Sequence, residues 1–269
     1  MTNVTIPHPN DVLAAIAALR TRENGVERSI AEWRSLYRAK LADNRRRPDI
    51  AIFTGFVNCL LERAMVGEAA FRRAQAFEKL FPDYDAVTTA NAKKALKSAG
   101  YRWGPENGAA VIMAAKDIVT ARGFSWEKYI RRAEDHYETD FQDDDFRKIK
   151  NVSFKTRDLA LSELSDRFVA IDLHVIRVSS RTGLLLHGYG DQRITTDVSK
   201  GPGYLFFHGL MLNLARRTGW PGAGYSPGEI DRMIWHFGRT MCNARPDCRR
   251  CPLQRTCLTW KRRQAHGTT

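Results

Sequence analysis

The chain has 269 residues, with 43 Lys and Arg against 30 Asp and Glu, a formal charge of +13, 43% hydrophobic residues and five Cys. That length and apolar content suffice for one large or two modest packed domains, and they exclude a disordered chain or a disulfide-stapled miniature. No apolar run approaches the roughly 18 residues of a membrane-spanning helix, and Met1 to Val12 carries neither a basic nor an apolar leader region; the sequence reads as a soluble, cytoplasmic protein.

Apolar residues recur at spacings of three and four along most of the chain and alternating runs are scarce, so the expected fold class is all-α. Val12, Ile16 and Leu19 share one helical face, and a second helix carries Leu36 to Leu41 and ends near the basic run Arg45-Arg46-Arg47-Pro48. The nearly uninterrupted apolar stretch Ile50 to Leu61 predicts a buried helix. Ala69 to Phe81 predicts another, stopped by Pro82. Amphipathic helices follow over Thr89–Ala99, closed by Gly100, over Gly108–Ala121, closed by Gly123, and over Trp126–Tyr137. The acidic run Glu134 to Asp145 reads as a solvated turn that would repel DNA. Gly and Pro accumulate between Gly183 and Gly228, which predicts loops linking the last helices.

The charge is unevenly placed. From Arg239 to Arg263 there are eight basic residues and one acid, Asp247, so this segment carries more than half of the surplus. Such a surplus favours a polyanionic partner, because each Lys or Arg set on a phosphate releases condensed counterions. The same segment holds Cys242, Cys248, Cys251 and Cys257, whereas Cys59 stands alone in the apolar stretch. Clustered thiols in a cytoplasmic chain point to a soft metal site, either tetrahedral zinc or a cubane iron–sulfur cluster. Their compact spacing suits a loop wrapped on a cluster better than the paired knuckles of a zinc ribbon.

The stretch Ile234-Trp235-His236-Phe237-Gly238-Arg239-Thr240-Met241-Cys242, with the three cysteines that follow, resembles the C-terminal iron–sulfur loop of the endonuclease III branch of helix-hairpin-helix DNA glycosylases, one residue shorter in its first gap. Ile149-Lys150-Asn151-Val152-Ser153-Phe154-Lys155-Thr156-Arg157 is similar to the family hairpin Leu-Pro-Gly-Val-Gly-x-Lys-Thr-Ala, with Asn151 and Ser153 where the glycines stand and Lys150 in place of proline. Ala170-Ile171-Asp172-Leu173-His174-Val175-Ile176-Arg177-Val178 is similar to its Val-Asp-x-His-x-x-Arg-Val segment. The resemblance implies an all-α, two-domain fold. A helical barrel domain would span 55–166 and hold the helix-hairpin-helix at 149–161, and residues 1–54 with 167–269 would form the second domain with the cluster loop at 242–257. A DNA cleft would separate them.

The resemblance further implies a monomeric glycosylase with AP-lyase activity that excises a damaged, oxidised base from lesion-bearing double-stranded DNA. Lys155 would be the nucleophile, since an amine at a helix start meets the positive end of the dipole, which disfavours its ammonium form. Asp172 would supply the carboxylate, although its place before an apolar run equally suits a helix cap. Cys242, Cys248, Cys251 and Cys257 would hold a [4Fe-4S] cluster, with zinc as the alternative. Lys150, Asn151, Val152, Ser153 and His174, together with Arg249, Arg250 and Arg255 on the cysteine loop, would contact DNA. Tyr101, Trp103, His136, Tyr137 and Phe141 are available to hold a flipped base, and Arg63 and Met65, in the turn from Glu62 to Glu68, to fill the vacated stack. Two other readings remain: a non-catalytic, metal-containing DNA-binding module, and a glycosylase for a programmed modified base.

Overall fold

The computed structural model describes residues 7–23, 26–62, 67–137, 143–187 and 201–265. They form thirteen α-helices and one short hairpin. Two compact units divide the chain, Met1–Ala39 with Ile171–Thr269, and Lys40–Ala170. The second unit is therefore one continuous piece and the first is made from both ends.

In the second unit, α3 (Asp49–Leu60) is the axial helix. It is nearly all apolar and buries Phe53, Phe56, Val57 and Leu60, as the sequence predicts for this stretch. Around it stand α4 (Gly67–Leu80), α5 (Thr89–Ser98), α6 (Pro105–Thr120), α7 (Trp126–Asp135), α8 (Asp145–Lys148) and α9 (Phe154–Ser162). Helices α4 and α9 pack directly on α3, and α5 packs on α6. The boundaries follow local chemistry. Thr88 and Ser125 cap α5 and α7 through their side chains, and Gly100 and Gly123 adopt positive φ just beyond the ends of α5 and α6. Helix α6 starts earlier than its periodicity suggests because Gly104 turns the chain at φ 83° and Pro105 fits the first helical position, where no N–H is needed. Phe56, Trp126, Tyr129 and Phe146 form an aromatic cluster, with the rings of Phe56 and Phe146 4.7 Å apart.

The first unit contains α1 (Pro9–Ala17), strands β1 (Arg20–Glu23) and β2 (Val26–Ser29), and the start of α2 (Ile30–Asn44). Its later part adds α10 (Leu173–Thr182), α11 (Gly201–Thr218), α12 (Pro227–Thr240) and α13 (Leu258–Ala265). The strands pair antiparallel with Arg20 opposite Ser29, a departure from the purely helical expectation. Helix α11 fills part of Gly183–Gly228, where loops linking the last helices are expected, and a link of that kind joins it to α12. The helix opens on Gly201-Pro202-Gly203, and Pro is tolerated in a first turn; Phe207, His208, Leu210, Met211, Leu214 and Ala215 are then fully buried. Glu229, in the first turn of α12, is 1% exposed and accepts hydrogen bonds from Arg34 at 2.7 Å and from Arg38, both on α2.

Candidate functional site

The hairpin between α8 and α9 is built as a strained turn locked from one side. Asn151 is the sole non-glycine residue with positive φ among the described residues, at 73°. Asn tolerates this left-handed conformation because its short polar side chain bonds locally. The Val152 amide donates to Ile149 O at 3.1 Å. Ser153 caps α9 in a reciprocal box with Thr156, the Ser153 amide donating to Thr156 Oγ1 at 2.9 Å. With those two amides engaged, the N–H groups of Lys150, Asn151 and Lys155 have no acceptor among the described residues. They are the donors left for an anion at the turn and the helix start.

Two arginines that sequence reasoning passed over hold this turn. Arg147 on α8 donates to the Val152 carbonyl and lays its guanidinium 4.0 Å from the Phe154 ring centroid. Arg157 on α9 is fully buried and pairs with Asp158 at 2.6 Å and with Asp144 at 3.2 Å. Burial alone would depress the Arg157 guanidinium, but the charge of Asp158, with Tyr129 and Asp144, outweighs it and holds the pKa above the usual value. Asp144 also accepts from the Tyr129 hydroxyl at 2.8 Å and caps α8 through the Phe146 amide. Burial, then the Asp144 charge, drives the Tyr129 phenol well above its ordinary range. The two helices of the hairpin are thus tied through one buried acid.

Lys155 occupies the first turn of α9, is half-buried, and its amine makes no hydrogen bond or ion pair with another described residue. Asp172, in the other unit, is the N-cap of α10. Its Oδ1 accepts from the amides of His174 at 2.7 Å and Val175 at 3.0 Å, while Oδ2 accepts from no described residue. The capping expected of an acid in this place is what the structure contains, and it leaves one carboxylate oxygen open.

His174 is packed against α12, where a Cβ on Gly238 would meet its Cβ at 2.8 Å. Its Nδ1 lies 2.8 Å from Arg177 Nη2. Because arginine only donates, Nδ1 accepts, and the neutral ring carries its proton on Nε2. Arg177 also donates to Cys242 O at 2.8 Å and Gly238 O at 3.1 Å, and Arg181, one turn on, donates to Asn243 O at 2.7 Å. These two arginines, spaced to share a helix face, fasten the start of the cysteine loop. Arg177 belongs to the motif quoted above, but its side chain had no assigned task.

Cys242, Cys248, Cys251 and Cys257 border one small cavity with Arg181, Phe237 and Leu253. The Cys257 thiol donates to Arg181 O at 3.2 Å, and Arg181 Nη1 lies 3.7 Å from Cys242 Sγ. Burial raises the thiols of Cys242 and Cys257, and it raises Cys251 to about 11, where the neighbouring sulfurs add to the effect. A cation among them would reverse that preference. The donor set suits a soft metal, although no three Cys, His, Asp or Glu groups converge on one point as they stand among the described residues. Arg249, Arg250 and Arg255 are all exposed.

Of the residues considered for base contact, Tyr101 and Trp103 line a hollow of about 510 Å³ beside the hairpin. His136 ends α7 as its C-cap. Tyr137 is fully buried, edge-on to Phe168 at 5.5 Å, and so belongs to the core and not to a base site. Phe141, Arg63 and Met65 lie outside the described residues.

No protein-family model matches the sequence, and no curated protein matches it. Among solved structures, the crystal structure of Methanocaldococcus jannaschii 8-oxoguanine DNA glycosylase is similar, with a TM-score of 0.55 and 17% identity over 87% of this chain and 97% of that one. At that identity the likeness is one of fold: the chain shares the all-α fold of that protein. No described helix is long and apolar enough to cross a membrane.

Proposed function

We propose that the protein is a base-excision DNA glycosylase with AP-lyase activity, acting on an oxidised base in double-stranded DNA. The observation that carries this reading is Lys155, a half-buried amine without an ion partner, in the first turn of the helix leaving a left-handed hairpin. The fold likeness to a DNA glycosylase supports it. In its neutral form the Lys155 amine has the lone pair needed to attack C1′ of an extruded nucleotide. Attack forms the Nζ–C1′ bond while the glycosidic bond breaks and the base leaves with that electron pair, taking up a proton. Transfer of a proton from Nζ to the ring oxygen opens the sugar and gives the Schiff base. Removal of a C2′ proton then expels the 3′ phosphate and cuts the strand. Asp172 would supply, through Oδ2, the carboxylate that this chemistry needs to accept a proton or balance the positive sugar.

In this reading Lys150, Asn151, Val152 and Ser153 seat a phosphate on the hairpin, and Nε2–H of His174 and the exposed Arg249, Arg250 and Arg255 take others. Cys242, Cys248, Cys251 and Cys257 would hold a [4Fe-4S] cluster, or zinc in its place, and the metal would supply a crosslink that fixes the basic loop. Iron and sulfide analysis with broad absorbance near about 400 nm distinguishes the cluster from colourless zinc.

Borohydride trapping tests the chemistry. Wild-type protein should become covalently linked to lesion-bearing or abasic duplex, and Lys155→Ala should not. If no duplex in a panel of single lesions is trapped or cut while salt-dependent binding persists, the protein is a DNA-binding module. Release only of a programmed modified base would move the substrate away from oxidised bases.

A further inference from the structure

The hollow beside the hairpin, lined by the base-contact candidates Tyr101 and Trp103, has a composition that narrows the ligand it can take. Its floor is apolar and buried: Leu60 and Leu61 at the end of α3, Val111 of α6 and Val152 of the hairpin. Tyr101 and Trp103, between α5 and α6, supply the aromatic surface, and Trp103 is 41% exposed. Asn107, Asn151, Ser153 and Thr156 supply the polar groups. Among the described residues no Lys, Arg, Asp or Glu borders it, although 27% of the chain is charged. A volume of about 510 Å³ lies within the range of small-molecule sites.

Neutral lining with aromatic faces and a few amide and hydroxyl groups selects an uncharged, flat ligand with hydrogen-bonding edges, and rejects a phosphate. The aromatic wall is braced before any ligand arrives. Arg73 is fully buried, donates to Asn58 Oδ1 at 2.8 Å and to the carbonyls of Asn58 and Leu61, and places its guanidinium 5.6 Å from the Tyr101 ring centroid. On the other side, a Cβ at Gly108 would meet Tyr101 Cε1 at 2.9 Å, so the ring sits hard against the α6 backbone.

We propose that this hollow is a nucleobase site, separate from the nucleotide attacked by Lys155, that takes an unstacked base of the strand whose phosphate rests on the hairpin. The proposal rests on the reading of the protein as DNA-binding. Four of the lining residues belong to the hairpin and the first turn of α9, and the unpaired amides of Lys150 and Asn151 stand on the same turn. A phosphate held there has its own or an adjacent base within reach of the hollow. Lys155 does not border it; neighbouring helical positions point about 100° apart, so Thr156 faces the hollow while the amine is directed elsewhere.

The test is a binding cycle on the full chain carrying Lys155→Ala, so that no duplex is cut. Duplexes hold a stable abasic analogue at the target, and a second analogue removes one further base at a time along the strand. At one position close to the target, deleting the base should weaken binding on the order of tenfold, the scale of one base–aromatic stack. Adding Trp103→Ala should cost the same factor when that base is present and nothing when it is absent. Asn107→Leu should weaken binding in the same base-dependent way. Trp103 is largely outside the core, and an unchanged melting temperature verifies that its loss leaves the fold intact. If no position shows this mutual dependence, the hollow is not a nucleobase site. Loss of all duplex binding would instead remove the DNA reading and this site with it, whereas failed borohydride trapping beside an intact cycle would remove only the lyase chemistry.

Discussion

Asn151 offers the sharpest check on the hairpin, because its backbone and not its packing is the unusual feature. The residue is exposed at φ 73°, so truncating its side chain removes no core contact. Alanine there meets the full clash between Cβ and the following carbonyl, about 1–2 kcal/mol, of which Asn escapes a part. Asn151→Ala should therefore cost about 1 kcal/mol. Asn151→Gly relieves the clash but adds about 0.5–1 kcal/mol of unfolded-chain entropy, leaving a net change close to zero. For a unit spanning Lys40–Ala170, about 1 kcal/mol corresponds to a fall of about 3–4 °C in Tm, readable by scanning calorimetry. Affinity for an abasic-analogue duplex should follow the same order, Gly near wild type and Ala weaker, because the unpaired amides of Lys150 and Asn151 turn with the backbone. An Ala variant that melts with wild type, or a Gly variant that loses as much as Ala, would refute the claim that a left-handed residue sets this turn.

Arg157→Met should destabilise the second unit by about 3–5 kcal/mol, since it strands Asp158 and Asp144 in the core without their cation, and urea titration would read it; a loss below about 1 kcal/mol would mean those acids are relieved by other groups. Gly238→Ala should cost about 1–3 kcal/mol in the first unit, because the new methyl lands 2.8 Å from His174 Cβ, and it should weaken duplex binding if His174 faces a phosphate. Wild-type affinity with Gly238→Ala would separate His174 from DNA contact.

Much of this architecture is written in apolar periodicity. The stretch around Phe53 and Phe56 is helical and buried because its apolar run is nearly unbroken, and α5 ends and α7 begins where Gly100 and Ser125 dictate. Helix α11 escaped because Gly201-Pro202-Gly203 has the composition of a loop, although those residues fit a first turn. The β1–β2 hairpin is too short for alternation to register, and the Asn-Gly pair between Glu23 and Val26 is the signal that could have found it. At the site, Asn151 and Ser153 were placed by motif, and the left-handed turn and the helix cap follow from what Asn and Ser do well. The supporting arginines were not legible. Among 43 Lys and Arg, sequence alone cannot separate Arg147, Arg157 and Arg177, which hold the turn and the loop, from solvated neighbours. Tyr137 shows the converse: an aromatic at helical spacing is first a core residue.

The split origin of the first unit sets the order in which the protein can be made. Helix α1 packs on α11 and α12, roughly 200 residues later in the chain. At translation rates of about 5–20 residues per second, its buried Val12, Leu13 and Ile16 wait on the order of ten to forty seconds for their partners. Over that interval the continuous second unit can complete its own core on the ribosome. The nascent amino-terminal helix meanwhile stays exposed, a natural client for a holding chaperone and the part of the chain most open to aggregation during synthesis.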